Sequence, residues 1–202
     1  MTRIKICGLT RAADVELAVD LGAHAIGVVL DPSSPRCVAD AASVRSLLEA
    51  AGAYVVRVAV FGRAADRPDL GLFDRVQAWE FNDLDLPADR RIAVCRVGEP
   101  GWEDRLATSD PFAWVLLDRF SESAAGGTGE AIPAGLLETA FRLRNQRTGL
   151  AGGLSPATVG DLVRRFRPAF VDVSSGVESG PGVKDPGKLR SFFEAVRGAS
   201  GA

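Results

Sequence analysis

The chain of 202 residues has one histidine, His24, and three cysteines, Cys7, Cys37 and Cys95. With so little imidazole, schemes that use histidine as general base largely drop out. The cysteines are odd in number and widely spaced, which fits neither a disulfide framework nor a zinc pattern. An excess of either charge is also missing: 24 basic residues against 26 acidic ones give −2, so no global field favours nucleic acid or an anionic membrane. No apolar run reaches the length needed to span a bilayer. The N-terminus opens directly on a strand, without the basic and apolar segments of a secretion signal. A reduced, cytoplasmic setting is therefore expected, with no nucleic acid, membrane or metal as partner.

What is present is a globular composition, 47% apolar and 25% charged, with 22 glycines and 11 prolines. That is enough material for a sizeable core. Short β-rich runs alternate with helical stretches from end to end. Strands are expected at 3–7, 25–30, 54–61, 75–79, 91–95, 112–118, 147–151 and 169–174. Most are continuous apolar runs, as parallel strands covered on both faces require. Helices are expected at 11–21, 40–51, 101–109, 133–145, 156–166 and 185–197, while 63–71 and 81–89 hold only poor or short ones. Ser155 before Pro156 and Asp185 before Pro186 read as N-caps. Leu189, Phe192, Phe193 and Val196 form the buried stripe of the last helix. The alternation predicts a single (β/α)₈ TIM-barrel domain spanning 1–202. An open doubly wound sheet is the rival, because alternation alone does not show closure.

In such a barrel, functional groups stand at the C-terminal ends of strands. That rule selects Cys7, Asp31, Trp79, Cys95, Asp118, Gly152, Gly153 and Ser174 to Gly176. Cys95 reads as core filler and Asp31 as a turn former. Cys37 has no assigned role, and His24 lies before the second strand, at the face that serves stability. Asp118 differs. It ends the apolar strand "FAWVLLD", where a carboxylate without a partner has a raised pKa. The long loop "RFSESAAGGTGEAIP" follows it and reads as a possible lid. In isolation Asp118 also reads as a cap for that loop.

Two neighbouring corners carry a phosphate signal. "LAGGLSPATV" places Gly152 and Gly153 just before a helix start, where backbone N–H groups approach an anion. "VDVSSGVESGPGVKD" adds Ser174, Ser175 and Gly176 after the eighth strand. Loops after strands seven and eight are the usual phosphate site of these barrels, so the expected partner is a phosphorylated small-molecule substrate.

Taken together, "KICGLT", "SPR" after strand two, "LLD…GGTG" at strand six, "LAGGLSP" and "VDVSSGVESGPGVKD" resemble the phosphoribosylanthranilate isomerase family. They occur in the family's order and cover most βα corners. The resemblance implies a (β/α)₈ enzyme of tryptophan biosynthesis that needs no metal or other cofactor. Its reaction is the Amadori rearrangement of N-(5′-phosphoribosyl)anthranilate to the 1-deoxyribulose 5-phosphate. It implies Cys7 as general base, Asp118 as general acid and Arg36 as the holder of the anthranilate carboxylate. Asp172 matches a further active-site carboxylate, and Gly152, Gly153, Ser174, Ser175 and Gly176 match the phosphate grip. A free thiol is mostly protonated near neutrality, so Cys7 needs local help to ionise; the N-terminus of the next helix is one candidate source, which the sequence does not show.

The middle of the chain departs from the family pattern. Gln77-Ala78-Trp79-Glu80-Phe81 stands where the family usually has Gln-Leu-His-Gly. Val60-Phe61-Gly62-Arg63 replaces its Val-Asn ending, and Ala131-Ile132-Pro133 its Phe-Asp-Trp. Three readings stay open at this point. One is a divergent isomerase of the ordinary kind. Another is a paralogue that isomerises a different phosphoribosyl-arylamine, with Trp79 against the altered ring. The last is a non-catalytic barrel that binds a phosphorylated ligand. The oligomeric state is expected to be monomer or homodimer.

Overall fold

The apolar runs condense into a parallel barrel in this structure, a computed structural model that describes residues 1–64, 70–81, 84–109, 114–120 and 131–201. The strands are β1 (Arg3–Cys7), β2 (Ala25–Val29), β3 (Val56–Val60), β4 (Arg75–Ala78), β5 (Arg91–Val97), β6 (Trp114–Arg119), β7 (Thr148–Leu150) and β8 (Phe170–Val173). They follow one another around a closed barrel, and β1 pairs in parallel with β8 through Lys5 opposite Asp172. That closing pair excludes the open sheet. Every barrel strand lies where the alternation predicts it, although 112 and 113, the first residues of the expected sixth strand, lie outside the described residues.

Two apolar clusters explain why the strands are hydrophobic on both faces. Val58, Ile92, Leu116 and Phe170 fill the barrel interior with Val56, Val94 and Trp114 packed against them. Gly149 of β7 makes room for Phe170, whose ring lies 2.3 Å from where a Cβ would stand. The outer faces pack on the helices α1 (Ala12–Asp20), α2 (Ala41–Ala51), α3 (Trp102–Ala107), α4 (Ala134–Leu143), α5 (Val159–Phe166) and α6 (Pro186–Ser200). The third and fourth connections carry only single 3₁₀ turns among the described residues, Leu70–Leu72 and Ala88–Arg90, in keeping with their weak helical patterns.

The last helix forms as expected. Asp185 caps it by accepting from the Lys188 N–H at 2.9 Å, and Pro186 occupies its first turn. Leu189, Phe192, Phe193 and Val196 are buried on its inner stripe. Ser155 is a correction. It does not cap α5, which begins at Val159 with Thr158 in the N-cap place. The Ser155 carbonyl instead accepts from the N–H groups of Thr158 and Val159, and the Thr158 hydroxyl accepts from Ser155 N at 3.1 Å. The chain makes this extra turn because it first passes against the neighbouring corner. A Cβ on Gly176 would lie 1.9 Å from the Leu154 carbonyl oxygen.

One element was not anticipated. After β8 and a 3₁₀ turn (Ser175–Val177) the chain folds back as an antiparallel hairpin, β9 (Glu178–Gly180) and β10 (Val183–Lys184). It carries two charged side chains into the rim of the barrel.

Candidate active site

A cavity of about 470 Å³ opens at the C-terminal ends of the strands, and Cys7, Arg36, Asp118, Asp172 and the two glycine–serine corners all line it. The sequence-predicted residues are thus brought together. Those read as structural behave so. Asp31 shapes its turn by accepting from Ser33 N and Gly62 N, both at 2.9 Å. Cys95 points its sulfur at the Trp102 carbonyl of α3. Exposed His24 sits ahead of β2, where its Nδ1 accepts from Ile4 N. Of the loop read as a lid, 119–133, residues 121–130 lie outside the described residues.

Cys7 ends β1 with its side chain buried. Gly8, at φ +69°, turns the chain in the left-handed region, and a Cβ there would meet the Arg36 side chain at 2.5 Å and the Ser174 hydroxyl at 2.8 Å. Burial pushes the thiol above its ordinary pKa. Lys5 pulls it down, Asp172 pushes it up and Lys184 again lowers it. Lys5 and Lys184 thus bring positive charge to the sulfur, and Arg36 adds to it. The next helix, α1, starts only at Ala12, after the Gly8 turn.

Asp118 stands on β6 across the barrel. Burial is the main cause that pushes its pKa up to about 6, with the charge of Asp172 adding to it. The hydrogen bond from Arg119 N and the charges of Lys5 and Arg96 act in the opposite direction. A carboxyl poised there is protonated often enough near neutrality to serve as an acid. Asp172 accepts from Lys5 Nζ at 2.8 Å through Oδ2, while its Oδ1 is buried with no hydrogen-bond partner among the described residues.

The corners after β7 and β8 form the third part. Gly152 and Gly153 take φ values of +78° and +63°, and no backbone carbonyl among the described residues accepts from their N–H groups. Ser174, Ser175 and Gly176 face them across the close passage at Leu154. Clustered backbone donors with two hydroxyls suit a phosphate dianion. Among the described residues, no group of three or more His, Cys, Asp or Glu side chains is placed to hold a metal ion.

A family model described as N-(5′-phosphoribosyl)anthranilate (PRA) isomerase matches residues 77–195. A curated N-(5′-phosphoribosyl)anthranilate isomerase of Pseudomonas fluorescens (strain Pf0-1) is 38% identical over 96% of this chain and 98% of its own. The chain belongs to the phosphoribosylanthranilate isomerase family. The isomerase of Bordetella pertussis is also 38% identical, over 97% of this chain and 96% of its own. Among solved structures, phosphoribosyl anthranilate isomerase from Thermotoga maritima superimposes with a TM-score of 0.81 at 27% identity, covering 98% of this chain and all of that one. A phosphoribosyl anthranilate isomerase in complex with reduced 1-(o-carboxyphenylamino)-1-deoxyribulose 5-phosphate gives 0.77 at 27% identity, with the same coverage.

In this member of the isomerase family, three charged residues lie in or beside the site that sequence reading did not single out. Lys5 sits under the cavity between Cys7 and Asp172. Glu178 of β9 clamps Arg36, with Nε to Oε1 at 2.9 Å and Nη2 to Oε2 at 2.7 Å. Lys184 of β10 is fully buried and donates to the Cys7 carbonyl at 2.6 Å and to Glu178 Oε1 at 2.7 Å. Burial pushes the Glu178 carboxyl up, but the hydrogen bonds from Arg36 and Lys184 outweigh it and hold it below the usual glutamate range. On the opposite side, Trp79 of the altered strand-four corner lines the cavity. The Arg96 guanidinium lies 4.9 Å from the centre of its ring, and its edge fills the space a Cβ on Gly62 would need, at 2.5 Å.

Proposed function

We propose that the chain is an Amadori aldose–ketose isomerase that converts N-(5′-phosphoribosyl)anthranilate to 1-(o-carboxyphenylamino)-1-deoxyribulose 5-phosphate, a step of tryptophan biosynthesis. The observation that carries this reading is the pairing of Cys7 and Asp118, from β1 and β6, across one cavity with a glycine–serine corner beside it. The isomerases it resembles are named for that substrate, and one was solved with the reduced product.

In this reading the phosphate seats against Gly152, Gly153, Ser174, Ser175 and Gly176. Arg36 keeps its Nη1 free of hydrogen bonds among the described residues and meets the anthranilate carboxylate. Asp118, in its protonated form, gives its proton to the furanose oxygen, and the C1′–O bond breaks to leave an iminium. The Cys7 thiolate then takes the proton from C2′. The C–H electrons become the C1′=C2′ bond, the iminium nitrogen regains its pair, and the product is the enolamine. Transfer of the 2′-hydroxyl proton away and of a proton to C1′ gives the ketone. Asp172 lies beside the reacting carbons as a further carboxylate. We place the enzyme in the cytoplasm as a single domain, monomeric or dimeric. Among the described residues no helix is long and apolar enough to cross a membrane.

The test is direct. Purified protein should abolish the fluorescence of the anthranilate substrate, and expression should restore growth of a tryptophan auxotroph that lacks this activity. Cys7→Ala and Asp118→Asn should each cost turnover by orders of magnitude while the ligand still binds. Protein that binds the substrate without consuming it would leave only a binding barrel.

A further inference from the structure

A lysine in the middle of an apolar, parallel strand is unusual, since burying an ammonium costs several kcal/mol unless it is paired (about that order for a carboxylate- or ammonium-sized ion). Lys5 lies between Ile4 and Ile6 of β1 and is 2% exposed. The two-residue period of a strand puts it on the same face as Cys7, one layer below. It does not line the cavity, so it reaches substrate only through other groups.

Its ammonium has two neighbours. Nζ donates to Asp172 Oδ2 at 2.8 Å, and the Cys7 sulfur lies close enough to feel its charge. Gly27 of β2 leaves the space for this. A Cβ there would stand 3.0 Å from both Lys5 Nζ and Cys7 Sγ, so any larger residue would push the two apart. Burial alone would lower the Lys5 pKa, but the charges of Asp172 and Cys7 outweigh it and hold the ammonium protonated. Thiol and carboxylate therefore line the cavity with the ammonium beneath them.

We propose that Lys5 is a positioning residue of the reaction: its ammonium is placed to stabilise the Cys7 thiolate as the sulfur gives up its proton beneath the sugar, and Asp172 holds Lys5 in turn. This rests on the reading of Cys7 as the base. The charged groups that face Cys7 are Lys5 on its own strand, Asp172 from β8, Lys184 from β10 and Arg36 from the loop after β2. Lys184 donates to the Cys7 carbonyl and to Glu178, and Arg36 turns its Nε and Nη2 to Glu178. Lys5 is the cation that shares with the sulfur the space left by Gly27, each atom 3.0 Å from where its Cβ would stand, and it is the strongest of the charges that favour the thiolate.

The experiment follows the rate of carboxamidomethylation at Cys7 against pH in the full chain, read on the Cys7 peptide by mass spectrometry so that Cys37 and Cys95 do not interfere. Lys5→Met should move the midpoint upward by about one pH unit or more. Its kcat at pH 7 should fall about tenfold or more and recover toward the new midpoint, with KM little changed. Lys5→Met combined with Asp172→Asn leaves no unpaired buried charge, and it decides the matter where the single variant does not fold. Its midpoint should also lie above that of the unaltered chain, because the ammonium that shares the Gly27 space with the sulfur is gone. A folded double variant with an unmoved midpoint overturns the proposal and leaves Lys5 as a counter-ion of Asp172 only. Alkylation needs no turnover, so failure of the unaltered chain to isomerise would remove the proposed function without touching this result.

Discussion

Arg36 and Glu178, 142 residues apart in the chain, meet as a two-pronged ion pair at the rim of the cavity. The same carboxylate takes the ammonium of Lys184, and the side chains of both Glu178 and Lys184 are almost wholly buried. One acid thus holds two cations, and with them the loop after β2 and the hairpin after β8.

Glu178→Gln should therefore strike both stability and substrate binding. It leaves a buried ammonium without its carboxylate, a loss that typically costs about 3–5 kcal/mol. Freed from its clamp, Arg36 should hold the substrate carboxylate in poorer geometry, which raises KM more than it lowers kcat. Urea unfolding and steady-state kinetics check the two halves. In the unaltered protein the Glu178 carboxyl is held below its usual range, so its contribution is present above the ordinary glutamate pKa and fades as pH falls through the folded value.

Asp118 has the opposite sign. Its folded pKa is raised from 3.8 to about 6, so the fold favours the protonated acid. The stability this group allows is fully present below pH 3.8 and is lost as pH rises to about 6. Asp118→Asn, which removes the charge, should be more stable than the unaltered protein at pH 8 by roughly 1–3 kcal/mol, with the advantage vanishing toward pH 4. Its kcat should fall by about 10²–10⁴-fold. Denaturation at the two pH values is the measurement, and an equal stability difference at both would mean that Asp118 is not a strained acid.

How much of this was legible in the sequence follows from where each interaction lives. The strands could be read because parallel strands covered on both faces are continuous apolar runs, and strand ends then pointed to Cys7, Asp118 and the glycine corners. Barrel closure could not be read, because it depends on β1 meeting β8 through Lys5 and Asp172. Lys5 itself had a local signal, a charge inside "RIKIC" two residues before the cysteine, whose meaning needed Asp172 beside it. Glu178 and Lys184 had none, because the "ESGPGVK" hairpin is too short and too rich in glycine to show a strand pattern. Ser155 misled for a related reason: a serine before a proline is a good local cap, and only the passage of Leu154 against Gly176 delays the helix.

Gly176→Ala probes the phosphate side. The new methyl group would overlap the Leu154 carbonyl, 1.9 Å from the Cβ position, and the backbone itself would have to move. The corners after β7 and β8 should separate, so that KM for the phosphorylated substrate rises at least about tenfold, the size of one lost charge-assisted hydrogen bond. Inorganic phosphate should lose its power to inhibit in proportion. An unchanged phosphate inhibition constant in the folded variant would move the anion site elsewhere.

Trp79 lies on β4's corner, diametrically opposite β8 in the barrel order, and its substitution should give the complementary result. The indole is held by the Arg96 guanidinium on one side and by the missing side chain of Gly62 on the other, so its position is set before any ligand arrives. A flat wall of this kind favours an aromatic ring, by about 0.5–1.5 kcal/mol for a good pair. Trp79→Ala should raise KM for the aryl substrate by roughly 2–10-fold, as that energy implies, while inhibition by inorganic phosphate stays as it was. Gly62→Ala should act through the same indole, displacing it and shifting the tryptophan emission spectrum. If Trp79→Ala weakens phosphate and substrate equally, the two ends of the cavity are not independent. If it changes neither, the indole only fills the space beside the shortened fourth unit, and the aryl ring lies against Arg36 and the loop after β2.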